Sequence, residues 1–205
     1  MKNFTFLLFV AALFYACNNQ TAKENGAGDR VDANNYEQET IPGSSWLKLT
    51  RKDDKGQVFE TGFSENGKKV GTWLTYDSGD VFPKEMITYA NGMYNGTYIQ
   101  FGPNGQIQIL AQYRNNKLHG HWGKYRFSRV EEEAMYKDGK LDGAYKVYDT
   151  KSGFLKSSVE YKDGVQHGFY RAFNEKGQIT LEYEYKNGER VSGGIIKTGE
   201  ANAPQ

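Results

Sequence analysis

The chain has 205 residues, with 26 Lys and Arg against 25 Asp and Glu, for a formal charge of +1. That balance supplies neither the basic field of a nucleic-acid binder nor the acidic excess of a cation store. Tyr (15), Phe (12), Trp (3) and Gly (24) are abundant while Pro (4) is scarce, a mixture that suits strands and tight turns better than helices.

Residues 1–17 read as a targeting segment. Lys2 gives the positive start, and Phe4 to Ala16 form an apolar run broken only by Thr5. At about 1.5 Å per residue this run reaches about 20 Å, short of the roughly 30 Å bilayer core, so a signal peptide is expected rather than a span. Cys17, the only cysteine, follows at once. Phe14-Tyr15-Ala16-Cys17 resembles the lipobox of bacterial lipoproteins, in which the signal is cut before a cysteine that then carries lipid. Ala16 matches that pattern, while Phe14 and Tyr15 stand where Leu and a small residue are usual. A lone cysteine allows no internal disulfide and is otherwise a reactive liability in an exported chain. The resemblance implies a cell-envelope protein held to a membrane through Cys17, the outer membrane of a Gram-negative bacterium being the expected one.

Residues 18–44 are rich in Asn, Gln, Gly, Asp and Glu and carry a net charge of −3. Such a stretch buries too little apolar surface to offset its ordering entropy, so a disordered tether is expected, spanning roughly 30 Å. Residues 45–62 contain Lys55-Gly56 and the alternation Phe59, Thr61, Phe63, which predicts a partial leading repeat acting as a cap.

From Phe63 one phrase recurs: aromatic, two residues, Gly, three residues, Gly, one residue, Trp or Tyr, two residues, Tyr or Phe. It spans Tyr89 to Phe101, Tyr113 to Tyr125, Tyr136 to Tyr148 and Tyr161 to Phe173, with one extra residue in Phe63 to Tyr76 and a sixth copy fading after Gly188. The leading aromatics step by 26, 24, 23, 25 and 24 residues, a period that signals stacked repeats. The first glycine slot holds Gly67, Gly92, Gly139, Gly164 and Gly188, each after Asn or Asp, and Asn116 in the third copy. Asx-Gly dipeptides favour positive-φ hairpin turns, and Asn is among the few other residues that tolerate that region. The slot therefore selects a backbone conformation, and replacing Asn116 by Gly is expected to be nearly neutral.

After a second glycine (Gly71, Gly96, Gly120, Gly143, Gly168) and a further turn, period-two strands follow, as in Ile179, Leu181, Tyr183 and Tyr185 alternating with Gln178, Thr180, Glu182 and Glu184. Each repeat is thus two antiparallel strands. The expected fold is all-β: an elongated single-layer antiparallel sheet of stacked hairpins over 63–194, with caps and a frayed tail at 195–205. One repeat cannot offset its own ordering entropy, so the array should fold cooperatively.

The phrases Tyr-Lys-Asp-Gly-Val-Gln-His-Gly-Phe-Tyr at 161–170 and Tyr-Arg-Asn-Asn-Lys-Leu-His-Gly-His-Trp at 113–122 resemble the MORN repeat, in the variant form of bacterial proteins labelled YwqK-type antitoxins. That resemblance covers about 63–194 and implies an elongated β-hairpin sheet used for protein contact, scaffolding and sometimes lipid-headgroup contact.

No phosphate loop, dinucleotide fingerprint or nucleophile elbow occurs, so no cofactor and no catalytic residue are expected. His119 and His121 could form a two-ligand metal site, but other copies place Val70, Asn95, Asp142 and His167 at the first slot, which favours scaffolding and no metal. Glu131-Glu132-Glu133 lies where the third copy lacks its turn glycine and reads as a solvated strand. The column Trp73, Tyr98, Trp122, Tyr145 and Tyr170 is either the sheet's own core or, near its ends, a binding surface. The leading expectation is a non-enzymatic envelope lipoprotein offering its sheet to a protein partner, with no nucleic acid. The alternatives are an envelope glycan or peptidoglycan binder using the aromatic column, and an antitoxin-like cytoplasmic protein if the N-terminus is not an export signal.

Overall fold

The computed structural model describes residues 29–197. Cys17 and the expected targeting segment, the first part of the expected tether (18–28) and the tail from 198 onward lie outside the described residues. The described chain forms one open sheet of 14 antiparallel strands in sequential order. These are β1 (Glu37–Thr40), β2 (Leu47–Lys52), β3 (Val58–Glu65), β4 (Lys68–Thr75), β5 (Glu85–Ala90), β6 (Met93–Phe101) and β7 (Ile107–Arg114). They continue as β8 (Lys117–Arg126), β9 (Arg129–Lys137), β10 (Lys140–Tyr148), β11 (Leu155–Lys162), β12 (Val165–Phe173), β13 (Ile179–Lys186) and β14 (Glu189–Ile195). Among the described residues the helical content is one 3-10 turn, Ala33–Asn35.

Every repeat turn of the first glycine slot has two residues at positive φ. The leading residues Asn66, Asn91, Asn115, Asp138, Asp163 and Asn187 lie between 49° and 53°, and the slot residues from Asn116 (65°) to Gly139 and Gly188 (87°) follow. That is the twist of a type I′ turn, which matches the twist of flanking strands. These turns also tie copy to copy. The amide of each slot residue after Gly67 donates to a carbonyl two residues past the preceding turn: Gly92 to Lys69 (2.8 Å), Asn116 to Tyr94 (3.0 Å), Gly139 to Leu118 (2.8 Å), Gly164 to Leu141 (2.8 Å) and Gly188 to Gln166 (2.9 Å).

The second glycine makes a bulge. Tyr161 pairs with Gln166 but Val159 pairs with Tyr170, so Glu160 alone faces the three residues around Gly168. Gly96, Gly120, Gly143 and Gly168 sit in these bulges at φ between 100° and 122°, where a Cβ would meet the facing side chain. In the last hairpin, where Ser192 takes the slot, the register slips by one residue instead of two and Gly193 adopts φ of 104°.

Over the expected leading repeat, β2 and β3 pair antiparallel. The tether expected over 18–44, however, is ordered from Asp29 onward. Val31 N donates to Gly67 O at 3.0 Å, Lys69 N to Asp29 O at 3.2 Å and Asp29 N to Gly92 O at 2.6 Å, laying this leader across the first two repeat turns. Strand β1 then pairs with β2. Composition averaged over 27 residues hid the cause: Val31, Ala33 and Tyr36 fall close together and all pack on the core cluster. At the other end Ile196 N still donates to Thr180 O at 2.9 Å, so the tail separates later than expected.

The core runs as one row across the sheet. Register places Trp73 opposite Ile87, Ile87 opposite Tyr98, then Ala111, Trp122, Ala134, Tyr145, Val159, Tyr170 and Tyr183. As far as Tyr170 aromatic and smaller residues therefore alternate, so rings of that column are separated by an intervening strand; Tyr183 then follows Tyr170 directly. Ring contacts run between columns instead, through Tyr36–Trp73, Trp73–Tyr89, Tyr89–Tyr94, Tyr94–Tyr113 and Tyr98–Tyr113, all near edge-to-face at 5.1–6.4 Å.

Candidate functional site

The aromatic column does not form a continuous binding surface. Trp73 is 1% exposed and Tyr98 4% exposed, so the N-terminal end of the column is core. Trp73 lies on the bare backbone of Gly62, donates its ring N–H to Phe63 O at 2.8 Å and carries Lys69 Nζ 4.0 Å above its ring. Trp122, Tyr145 and Tyr170 are half-buried. The Tyr98 hydroxyl donates to Glu85 at 2.9 Å, the Tyr145 hydroxyl donates to Glu132, and Tyr170 stacks on Tyr183 with centroids 6.3 Å apart.

The histidine slot couples one repeat to the next turn. His119 Nδ1 accepts from Asp138 N at 3.3 Å, Asp142 from Asp163 N at 3.2 Å and His167 Nδ1 from Asn187 N at 3.5 Å. His121 instead lies 3.7 Å from Glu133, so His119 and His121 turn to different partners. No cluster of three or more metal-ligating side chains occurs among the described residues.

The buried carboxylate Glu60 is a second cluster to weigh. It accepts from the Tyr36 hydroxyl (2.8 Å), Arg51 Nη2 (3.0 Å) and Lys69 Nζ (2.7 Å). Burial would raise this carboxyl, but the bonds from Lys69 and Tyr36 and the two cations outweigh it and hold it below the usual carboxylate range. Burial, aided by Glu60, pushes the Tyr36 phenol up to about 12. These four groups come from the leader, β2, β3 and β4, and their bonds lock the leader onto the sheet.

Glu131, Glu132 and Glu133 are not a solvated strand; all three are partly buried and ion-paired. Lys124 Nζ lies 3.1 Å from both Glu131 and Glu132, and Arg126 lies 3.4 Å from Glu131. Burial opposes the Lys124 cation, but hydrogen bonds to Glu132 and Glu131 prevail and hold its pKa above the ordinary lysine value. Glu133 accepts from Tyr148 at 2.7 Å and Lys146 at 2.9 Å.

Where this acidic run meets the β8–β9 turn, the sheet opens a cleft of about 330 Å³ between that turn and the neighbouring loop 102–106. Gln100, Gln106 and Gln108 line one side, and Lys124, Arg126 and Glu131 the other. Tyr125 and Phe127 add aromatic surface. The inter-repeat connection here is only Phe127-Ser128, both at positive φ (51° and 61°), whereas its neighbours are the longer loops 102–106 and 149–154. Phe127 is 86% exposed. A phenylalanine in that region of φ is a backbone outlier, and such strain clusters at ligand-contact sites.

Two glycines shape the cleft for reasons of space alone. The loops 53–57, 102–106 and 174–178 share one fold, with Asp53 N to Gln57 O, Gly102 N to Gln106 O and Asn174 N to Gln178 O at 2.8–2.9 Å. Asp53 and Asn174 cap their loops by accepting two backbone amides. Gly102 cannot, and Gln106 Oε1 accepts from Asn104 N at 3.1 Å in its place. A Cβ at residue 102 would meet the Gln106 amide nitrogen and lie 2.8 Å from that of Gln108, so both carboxamide NH2 groups converge over Gly102. At Gly123 a Cβ would lie 3.0 Å from the Tyr125 ring, where other copies carry Leu74, Ile99, Lys146 and Arg171. Sequence reasoning noted the missing turn glycine but not Gln100, Gln106, Gln108 or Phe127. The available signal was Gly102 at a position that holds Asp77, Asp149 and Asn174 in three other copies. No family model matches the chain, and no curated protein proves similar to it.

Proposed function

We propose that this protein is a non-enzymatic cell-envelope lipoprotein, anchored through Cys17, whose MORN-like sheet docks a protein partner along one of its two long turn edges. The observation that carries this reading is the difference between those edges. Sequential antiparallel order puts all the Asn/Asp-Gly turns along one edge and the inter-repeat connections along the other. The first edge is mostly polar, with Val165 (45% exposed) beside the Asp163-Gly164 turn as an apolar exception. The second carries Val81 (86% exposed), Phe82 (48%), Phe127 (86%) and Phe154 (49%) at three connections. Exposed aromatics spaced along a rigid sheet supply the anchors that protein interfaces favour.

The leader gives this arrangement a direction. The chain joins the sheet at the polar edge, where Asp29 bonds Gly92 and Lys69. Residues 18–28 reach at most about 40 Å from the lipid site, so the polar edge would face the membrane and the apolar edge the partner. Site-specific photo-crosslinkers at Val81, Phe154 and, as control, Asp163 test this in envelope-bearing cells. The expected result is one discrete protein adduct from Val81 and Phe154 and none from Asp163. Equal adducts from all three positions, or none from any, would reject it.

A further inference from the structure

Three departures from the repeat frame border a single cleft. Gly102 replaces a loop-capping Asp or Asn, Gly123 replaces a larger side chain, and Phe127-Ser128 replaces a longer loop. The first trades two capping bonds for one from Gln106, the second draws the Tyr125 ring over bare backbone, and the third forces a bulky residue to positive φ. Together they make an opening, a donor cradle and an exposed ring. Breaks in local rules that coincide in space mark sites retained for a ligand.

The lining decides the ligand class. Gln106 Oε1 is held by Asn104 N, so its NH2 is committed as a donor beside that of Gln108. Carboxamides offer donor and acceptor at fixed spacing, which suits vicinal hydroxyls. Tyr125 and Phe127 add flat apolar area for the C–H face of a ring. The two cations are already paired, Lys124 with Glu131 and Glu132 and Arg126 with Glu131, so the cleft has little charge left for a phosphate or carboxylate. The strands beneath it, β6 to β9, are internal, and their ladders run on both sides. An added peptide strand would therefore find no free edge. A volume of about 330 Å³ holds a short segment only.

We infer that the cleft between loop 102–106 and the Phe127-Ser128 turn binds one or two units of a neutral saccharide, with Gln106 and Gln108 donating to its hydroxyls and Phe127 covering its ring. The cleft shares Phe127 with the docking edge proposed above, so the two tests use other positions, Val81 and Phe154 for the edge and Gly102 and Gln108 for the cleft.

The experiment is titration of the full chain, followed by amide NMR, with chitotriose, cellotriose and maltotriose in turn, and with inorganic phosphate as the charge control. The expected result is a saturable response to at least one trisaccharide, confined to residues 100–108 and 124–131. Gly102→Ala and Gln108→Ala should each weaken it by roughly tenfold, as lost hydrogen-bond partners do. The first variant fills the cradle without backbone strain, because Gly102 does not need positive φ and the atoms it displaces end flexible amides. Preserved spectral dispersion verifies that both variants fold. No saturation with any of the three sugars, an equal response to phosphate, or full affinity in both variants would overturn the assignment.

Discussion

The Tyr36 hydroxyl donates to Glu60 Oε2 at 2.8 Å across 24 residues of chain, joining a leader of poor apolar content to the third strand of the sheet. Tyr36 also meets Trp73 edge-on at 6.0 Å and lies 5.4 Å from the Arg51 guanidinium. One side chain thus supplies a ring to the core and a donor to a buried carboxylate. Tyr36→Phe should keep the ring contacts and cost about 1–2 kcal/mol, while Tyr36→Ala should cost about 3–5 kcal/mol. Urea denaturation gives both values, and equal losses would mean that the hydroxyl contributes nothing.

Glu60 gives the same corner a pH dependence. Its folded carboxyl titrates below the ordinary value of 4.5, so its contribution is complete above that pH and fades as the pH falls through the folded value. Tyr36 acts in the opposite range. Raised to about 12, its phenol favours the fold fully below 10 and loses that contribution as the pH climbs toward 12. Stability measured between pH 3 and 6 should fall less steeply in Glu60→Gln than in the unaltered protein. Parallel curves would contradict the assignment.

The hairpin slot separates backbone from side-chain effects. Gly164 has φ of 86° with its nearest neighbour, Lys140 Cβ, 3.6 Å from where a Cβ would lie, so space is not limiting. Gly164→Val should cost more than about 1 kcal/mol through backbone strain. Asn116, at φ of 65°, does more than tolerate the turn: its Oδ1 accepts from Tyr94 N at 2.7 Å and its N–H donates to Tyr94 O at 3.0 Å. The neutrality expected of Asn116→Gly from local conformation is therefore corrected to a loss of about 1 kcal/mol, because a partly buried amide loses its acceptor. Thermal melts of the two variants decide the point.

Phe127 carries the reverse prediction. Five of the six repeat turns begin with Asn or Asp followed by Gly, both at positive φ, and Phe127 at 51° holds the same conformation without a suitable side chain. Phe127→Asn should raise stability by about 1 kcal/mol, as the strained residue gives way to one that tolerates the left-handed region. A loss of stability in denaturant titration would show that the exposed ring supports the fold. The predicted gain would leave ligand or partner contact as the reason for keeping Phe127.

The paired strands, the I′ turns and the repeat boundaries are visible in the chain because each depends on residues close in sequence. An Asn or Asp before Gly sets two positive φ values, period-two alternation separates two faces, and a recurring glycine permits a bulge. Gly67, Gly92, Asn116, Gly139, Gly164 and Gly188 all have positive φ. The aromatic column is legible in the sequence as a set of equivalent positions, but its burial is not. Trp73 and Tyr98 are closed because Tyr36, Val31 and Ala33 pack on the core cluster at the N-terminal end, whereas Tyr170 near the other end is only half-buried.

By itself, then, the amino-acid order determined a ladder of hairpins, since nearest-neighbour sterics and alternation suffice to specify each rung. Only the tertiary structure decided that the leader from Asp29 joins the sheet, that Glu60 gathers Tyr36, Arg51 and Lys69, and that Gln106 and Gln108 converge over Gly102. Those outcomes depend on which side chains from different rungs come within bonding distance, and that is set by strand register and the bulges, not by any local run of residues.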